Sequence, residues 1–312
     1  MPAYRNALPQ LSGDLFLADA GAEADLIFNK GIDIPEFALH TLLPDPRTRN
    51  TVADYFRGFL SLARDMGTGY ILDSATWKAH MHWADALGAS EAELRAANHD
   101  ALAIAAALRD EFSGNAKPIV LNGISGPRSD GYAPDVEISP DEGQDYHARQ
   151  IVWLAETQAD MVSGLTFPQS GEAVGFVRAA QAAGMPSMIS FVVETDGRLS
   201  TGEPLADAVR RVDDETAGAA AYFMVNCAHP DHFAHALEDA DWCRRIRGLR
   251  CNASRKSHGE LDNSDTLDPG DPEKLGGQYR EICARLPWLN IFGGCCGSDL
   301  RHVTAIARAL AA

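Results

Sequence analysis

The chain of 312 residues contains no apolar run of the roughly 18 residues that a membrane-spanning helix requires. Residues 1–13 lack a basic stretch followed by an apolar one, so we expect no secretory signal. Basic residues are few: 27 Lys and Arg stand against 44 Asp and Glu, a net charge of −17. A field of that sign repels nucleic acid and anionic membranes, so we expect neither as a partner.

Cysteine is also sparse, with six in the chain and no tight spacing typical of a disulfide framework. This usage fits a reducing compartment, and we expect a cytoplasmic protein. Cys295 and Cys296 are adjacent in a Gly-Gly-Cys-Cys-Gly segment, and Cys227 lies upstream after Asn226. A disulfide within the adjacent pair would be strained, because neighbouring Cα atoms lie about 3.8 Å apart and disulfides normally need about 4.4–6.8 Å.

Three thiolates supply three of the four ligands of a tetrahedral Zn²⁺, and three protein ligands with one vacancy are typical of a catalytic site. A substrate thiol in the vacancy would be held as a thiolate at neutral pH. The sequence therefore predicts a zinc site at Cys227, Cys295 and Cys296. The other cysteines are interpreted as small apolar side chains: Cys243, Cys251 and Cys283.

Strand and helix patterns alternate eight times along the chain. The expected strands are short apolar runs at 15–18, 69–72, 119–121, 161–164, 187–193, 222–225, 248–251 and 290–292. Capping boxes begin at Ser90 and Ser139, and Asp271 precedes a further helix that opens with proline. Gly67 and Gly184 stand at expected helix ends.

This alternation predicts a parallel sheet, and eight repeats predict an α/β fold of the (β/α)₈ TIM-barrel type, with residues 1–312 as a single domain. An open doubly wound sheet is the alternative, but no glycine-rich phosphate loop follows the first strand. The polar segment 255–276 is expected to be a long loop after the seventh strand, and loops of that length are often functional.

Active sites of such barrels lie at the carboxyl ends of the strands. Cys227 follows the expected sixth strand and the cysteine pair follows the eighth, so the three side chains can converge above the barrel. His229 could be a fourth ligand, but we interpret it as a turn residue, because a filled fourth position would close the site.

The same rule nominates substrate-binding residues, for each of which a turn or cap role is the alternative. Asp19 is expected to take an ammonium group, and backbone amides near Gly21 or Gly123 a carboxylate. From the polar rim of the barrel, the residues chosen as substrate-binding are Asp19, Gly21, Ser74, Asn122, Thr166, Glu194 and Asn226.

These residues resemble those of the homocysteine S-methyltransferase family of zinc barrels. The segment 293–297, followed by His302, resembles the family's carboxyl-terminal zinc motif, and Asn226-Cys227 its first ligand. Segments 17–21, 124–127 and 196–199 are similar to other family segments. The resemblance implies a TIM barrel, bound Zn²⁺, a small-molecule thiol and a methyl donor as partners, and conversion of homocysteine to methionine.

The chain also departs from the family pattern. Leu165 stands where the family's Glu-Thr-x-Pro segment carries the glutamate that binds the homocysteine amine. Ala20 replaces a glycine, and residues 298–300 replace a common Thr-x-Pro. Either another carboxylate, such as Glu194, supplies the missing charge, or the preferred thiol lacks the amine at that place.

We therefore predict a zinc-dependent S-methyltransferase acting on a thiol, with homocysteine as the main candidate. The alternatives are transfer to a different thiol, a zinc lyase or hydrolase on the same barrel, and a zinc- or thiol-binding protein without catalysis. The methyl donor stays open among a sulfonium, a betaine-like ammonium and a folate, and so does homo-oligomer formation.

Overall fold

The computed structural model describes residues 1–114, 117–264 and 266–311. Eight parallel strands pair in chain order, and the first pairs with the eighth, so the sheet closes into a barrel. The strands are β1 (Phe16–Leu17), β2 (Gly69–Asp73), β3 (Ile119–Ser125), β4 (Met161–Phe167), β5 (Ser187–Phe191), β6 (Ala220–Asn226), β7 (Ile246–Cys251) and β8 (Ile291–Gly294). The predicted (β/α)₈ barrel is confirmed, and the open sheet is excluded by the β1–β8 pairing.

Successive strand residues face opposite sides of the barrel wall, which creates two cores. Phe16 and Ile291 pair across the seam and belong to the cluster inside the barrel. Leu17 and Phe292, the next residues in the same register, belong to the larger cluster between the strands and the outer helices. Because both faces are covered, the strands are nearly continuous apolar runs.

The helices of the described chain are α1 (Ala22–Ala24), α2 (Pro46–Met66), α3 (Ala84–Leu87), α4 (Glu91–Phe112), α5 (Pro140–Ala155), α6 (Ser170–Ala182), α7 (Leu205–Thr216), α8 (Pro230–Phe233), α9 (Asp241–Arg244), α10 (His258–Asp262), α11 (Pro272–Arg285) and α12 (Leu300–Ala311). Short 3₁₀ segments lie at Pro9–Ser12, Pro35–Phe37, Leu39–Leu42 and Met81–Trp83, and a π-helical turn at Asp25–Asn29. In this part of the chain no helix is long and apolar enough to cross a membrane.

The expected helix signals are present in the structure. Ser90 and Ser139 form complete capping boxes at the starts of α4 and α5. The Asp271 side chain accepts hydrogen bonds from the first backbone N–H groups of α11. Gly67 ends α2 in the left-handed conformation, with φ of 67°. The Ser90, Ser139 and Asp271 side chains pair the backbone N–H groups that a helix start leaves without partners.

The described residues of segment 255–276, which exclude residue 265, contain a helix where we expected a loop. This helix is α10, which begins at a third capping box formed by Ser257 and Glu260. α11 begins at Pro272, as the helix start after Asp271 predicted. The Ser-x-x-Glu spacing was present in the sequence, but the surrounding Asp, Gly and Pro residues favoured a loop.

β3 and β4 extend furthest beyond their predicted ends. β3 continues from Leu121 to Ser125, and β4 continues from Gly164 to Phe167. The extensions contain Asn122 and Thr166, which we took to follow the strands. Asn122 instead lies inside the barrel, where its Oδ1 accepts from the Ser163 hydroxyl of β4 at 2.7 Å.

The amino-terminal end of the barrel depends on Asp160, a fully buried carboxylate just before β4. Its Oδ1 accepts from the backbone N–H groups of Ala3 at 2.6 Å and Tyr4 at 2.7 Å. Its Oδ2 accepts from the Leu121 N–H at 2.9 Å and from Arg109 Nη1 at 3.0 Å. One carboxylate therefore joins the chain start, β3 and α4.

Asp160→Asn should lower the free energy of unfolding by about 2–4 kcal/mol, because it removes a buried charge that accepts several hydrogen bonds. Urea denaturation of the reduced protein measures this. Asp239→Asn, at an exposed pair with Arg244, should leave the unfolding midpoint unchanged. Equal midpoints for the two variants would contradict the role given to Asp160.

Candidate metal centre and substrate pocket

The three predicted zinc ligands meet at the carboxyl end of the barrel. Cys227 directly follows β6, and Cys295 and Cys296 directly follow β8, with β7 between the two strands. The three Sγ atoms all lie within 4.8 Å of one another. Tetrahedral ligands bound at about 2.3 Å from Zn²⁺ are about 3.8 Å apart, so small side-chain adjustments suffice to bring these sulfurs around one ion.

Two of these cysteines are joined in the structure by a disulfide, which links Cys227 and Cys295 across a Cα–Cα distance of 5.4 Å. We had considered a disulfide only within the adjacent pair, where the Cα spacing opposes it. The cross-strand pair has a suitable Cα separation. Because zinc binds thiolates, the metal site requires the reduced form of these two residues.

The remaining cysteines are separate from this cluster. Burial raises the pKa of Cys243 to about 11 and the pKa values of Cys251 and Cys283 to about 12. Such thiols stay protonated at neutral pH and are poor ligands. The burial that raises these pKa values agrees with the interpretation of the three residues as small apolar side chains.

The backbone at Cys227 is held by two side chains. Its carbonyl accepts from Asn252 Nδ2 at 2.9 Å and lies 2.6 Å from His258 Nε2. Cys227 itself has a φ of 54°, in the left-handed region that is uncommon for a side chain of this kind. The two contacts fix the turn that directs its sulfur toward the other two.

The backbone at Cys295 is fixed by contacts on both sides. Its N–H donates to the Cys251 carbonyl at 2.9 Å, and its carbonyl accepts from Ser298 Oγ at 2.6 Å. On the other side, the loop after β1 approaches closely: a Cβ placed on Gly21 would lie 2.7 Å from the Cys295 carbonyl oxygen. A residue larger than glycine at position 21 would therefore displace the ligand pair.

His229 lies apart from the cysteine cluster. It precedes α8 as its N-cap, and its Nδ1 accepts from the Asp231 N–H at 3.1 Å. Burial lowers its pKa to about 4. The only group of potential metal ligands in the described chain is the three cysteines, which leaves the fourth position for a substrate atom.

A cavity of about 510 Å³ opens above the cysteines. Its wall includes five of the seven residues nominated for substrate binding: Asp19, Gly21, Ser74, Thr166 and Asn226. Asn122 and Glu194 are absent from the described wall.

Thr166 and Asn226 form a reciprocal pair beside the sulfurs. The Thr166 N–H donates to Asn226 Oδ1 at 3.0 Å, and Asn226 Nδ2 donates to Thr166 Oγ1 at 2.8 Å. Asn226 Nδ2 also lies 4.0 Å from Cys295 Sγ. The pair joins β4 to β6 and places an amide donor against a candidate ligand.

Ser74 contributes a hydroxyl that is already engaged in the loop after β2. Its Oγ lies 2.7 Å from Thr76 Oγ1 and accepts from the Ile124 N–H at 3.1 Å.

Asn122 lies below the cavity, because β3 continues beyond it and directs its side chain into the barrel. There its Nδ2 donates to Asp73 Oδ1 at 2.7 Å.

Glu194 lies beyond the end of β5 and is not part of the described cavity wall. Its Oε1 lies 3.1 Å from His258 Nδ1 and 3.3 Å from Ser200 Oγ. His258 and Leu165 both line the cavity. The Glu194 carboxylate is therefore engaged by His258 behind the wall residues and does not replace the charge missing at Leu165 within the described wall.

The principal site residue that the sequence reading missed is Arg250 in β7. Its guanidinium is buried and forms ion pairs with Asp19 through Nη2 and with Asp73 through Nη1. Its Nε donates to the Gly294 carbonyl at 3.3 Å. An arginine within an apolar strand was the available signal, since a buried cation requires carboxylate partners.

The ion pair with Arg250 limits which groups Asp19 can bind. Burial raises the pKa of Asp19 to about 7, and the attraction of Arg250 opposes that rise. The pKa of Arg250 is raised, because the two carboxylates outweigh the effect of burial. The structure thus places a guanidinium, and not an open ammonium site, beside Asp19 Oδ1.

Arg250→Gln should lower the free energy of unfolding by about 3–5 kcal/mol, because it leaves two buried carboxylates without their cation. Adding Asp19→Asn should recover part of that loss, since one charge is removed. Denaturant titration of all four proteins in this cycle gives the coupling energy. Additive effects of the two substitutions would contradict a direct interaction.

Comparisons with known proteins agree with this geometry. The family profile described as Homocysteine S-methyltransferase matches residues 17–310. Homocysteine S-methyltransferase YbgG of Bacillus subtilis (strain 168) is 26% identical over 316 aligned positions, covering 93% of this chain and 94% of that protein.

Two crystal structures of the homocysteine methyltransferase MmuM from Escherichia coli share the fold. The oxidized form has a TM-score of 0.73 at 18% identity, and the metallated form a TM-score of 0.70 at 17% identity. Each covers 95% of this chain and 96% of MmuM. With the profile match over nearly all of its length, this chain belongs to the homocysteine S-methyltransferase family.

Proposed function

We propose that this protein transfers a methyl group from a small donor to the sulfur of homocysteine, with the acceptor sulfur bound to Zn²⁺ at Cys227, Cys295 and Cys296. The observation that carries the proposal is the convergence of three cysteine sulfurs within 4.8 Å at the base of a substrate-sized cavity. Family membership supports a thiol as the methyl acceptor.

The donor set fits zinc, because thiolates are soft ligands and a three-cysteine set leaves one position open. Bound there, Zn²⁺ would keep the acceptor sulfur deprotonated at neutral pH, whereas a free thiol has a pKa near 8.5 and is mostly protonated. Nothing in the described wall resembles a nucleophile activated by a neighbouring base, and none is needed for transfer to a thiolate.

The other residues of the chain would position the reactants. Asn226 Nδ2 lies close to Cys295 Sγ and fixes that side chain through its bond to Thr166. The Arg250 ion pairs hold the floor of the cavity rigid between β1, β2 and β7. Rigid placement of sulfur and methyl carbon lowers the entropic part of the barrier to transfer.

The donor would enter through the outer part of the cavity, which is lined by aromatic rings. The indole N–H of Trp77 donates to the Leu165 carbonyl at 3.1 Å, so this ring is fixed over the wall. The ammonium of Lys78 lies 3.6 Å from the centroid of the Trp83 ring. Aromatic faces attract a positively charged methyl-bearing centre, and such a donor would have to displace the Lys78 ammonium from the Trp83 ring.

The reduced protein should bind about one Zn²⁺ per chain, and Cys227→Ala, Cys295→Ala and Cys296→Ala should each lose most of it, because a three-ligand site has no spare donor. Elemental analysis after gel filtration in a metal-free reducing buffer measures the content. The matched control is Cys283→Ala, which should retain zinc. Full retention by Cys296→Ala would remove that residue from the site.

Zinc-loaded, reduced protein should form methionine from homocysteine with at least one of three donors: S-methylmethionine, betaine or methyltetrahydrofolate. Mass spectrometry of a donor labelled in its methyl group shows the label in the product. Cys296→Ser should abolish methionine formation, because the site loses one of its three thiolate ligands and no longer holds the homocysteine sulfur at the metal. Label transfer at an unchanged rate in that variant would overturn the proposed mechanism.

A further inference from the structure

Loss of the family glutamate at Leu165 raises the question of which group receives the ammonium of the acceptor. An unpaired ammonium beside a buried leucine would be costly. Carboxylates are the natural partners, and the described wall of the cavity contains several: Asp19, Glu23, Asp73, Asp130 and Asp268.

Four of these carboxylates are already engaged. Asp19 and Asp73 share the Arg250 guanidinium. Asp130 accepts at its Oδ1 from the backbone N–H groups of the two residues 132 and 133, at 2.7 and 3.0 Å. Asp268 accepts from Ser254 Oγ at 2.7 Å.

Glu23 differs from the others. It lies in α1, the short helix after β1, and its side chain is half-buried against the cavity. Its carboxylate accepts only from its own backbone N–H, and within the described chain it has no ion pair and no hydrogen bond to another residue. Arg250 is held by two other carboxylates, and Lys78 is turned toward the Glu36 carbonyl at 2.6 Å, so neither cation occupies Glu23.

Glu23 also lies at the right distance from the metal site. Gly21, two residues earlier, packs directly against the ligand pair: its Cβ position lies 2.7 Å from the Cys295 carbonyl oxygen and 3.3 Å from Cys296 Cα. Two residues span at most about 7 Å of chain. In homocysteine only a short chain of carbon atoms separates the sulfur from the amine, so a sulfur bound at the cysteines keeps the ammonium within reach of this loop.

We propose that Glu23 binds the α-ammonium of the acceptor thiol, in the role that Leu165 cannot fill. This inference rests on the proposed function, because it assumes that the acceptor sulfur is bound at the three cysteines. Asp19 then acts with Arg250 as part of the cavity floor. The chain recognises the same amino-acid thiol with a carboxylate from the loop after β1 and not from β4.

The burial of Glu23 is consistent with this role. Desolvation raises the pKa of its carboxyl group, and the hydrogen bond from its own backbone N–H and the positive charges of Lys78 and Arg250 only partly offset that effect. A carboxylate without a cationic partner in such surroundings gains most from a ligand that brings a cation into contact. Binding of an ammonium would therefore be stabilised by charge neutralisation as well as by hydrogen bonds.

The test compares two thiols that differ only in the amine: L-homocysteine and 4-mercaptobutyrate. Calorimetric titration of the zinc-loaded, reduced enzyme should show that Glu23→Gln weakens homocysteine binding about 10- to 150-fold, the range for a lost charge-assisted hydrogen bond. Binding of 4-mercaptobutyrate and the zinc content should not change. Glu23→Asp, which keeps the charge one methylene further back, should restore part of the affinity.

The matched control is Glu111→Gln, the same chemical change at an exposed pair with Arg57 outside the described cavity wall, which should bind both thiols as the wild type does. Homocysteine affinity within twofold of the wild type in Glu23→Gln would overturn the assignment, and so would equal weakening for both thiols, which indicates a structural role. Equal wild-type affinity for the two thiols would also overturn it, while methyl transfer to either thiol would leave the proposed function standing. Absence of methyl transfer to any thiol would refute the proposed function itself.

Discussion

Closure of the sheet by the pairing of β1 with β8 is the constraint on which the rest of the structure depends. All eight strands run parallel, so their carboxyl ends meet at one rim. The closed order places β7 between β6 and β8, which brings Cys227 next to Cys295 and Cys296. The same closure sets the loop after β1, with Gly21, against the cysteine pair. The convergence of the three cysteines and the cavity above them are consequences of this single topological fact.

Within that rim, the positive charge of Arg250 divides the acidic residues into two kinds. Asp19 and Asp73 are satisfied by the guanidinium and belong to the floor of the cavity. A buried arginine with two carboxylates is stable only as a unit, because each charge depends on the others for the interactions that water would otherwise provide. Glu23 lines the same cavity outside this unit. In the proposed scheme, one set of carboxylates stabilises the floor of the cavity and a different carboxylate binds the acceptor.

The ligand cysteines are held mostly by backbone contacts. The Cys227 carbonyl bonds to side chains from the loop after β7, and the Cys295 N–H bonds to the last residue of β7. The residues that follow β6 and β8 are therefore both positioned by contacts with β7 or with residues after it. β7 also carries Arg250. A substitution in β7 would move the cysteine cluster and the charged floor of the cavity together. Outer contacts of this kind orient metal ligands and limit the geometries that they can adopt.

By itself the sequence determined the repeating unit, its number and the three cysteines that converge at the barrel rim. Apolar runs, capping boxes at Ser90 and Ser139 and the Gly-Gly-Cys-Cys-Gly segment are local signals, because each depends on residues close together in the chain. The tertiary structure alone decided where β3 and β4 end, since inward polar residues such as Asn122 are stable only with partners from neighbouring strands. It also decided that Asp19 pairs with Arg250 and that Glu194 faces His258, leaving Glu23 at the cavity. Electrostatic partners far apart in sequence are set by barrel closure, and no local pattern encodes them.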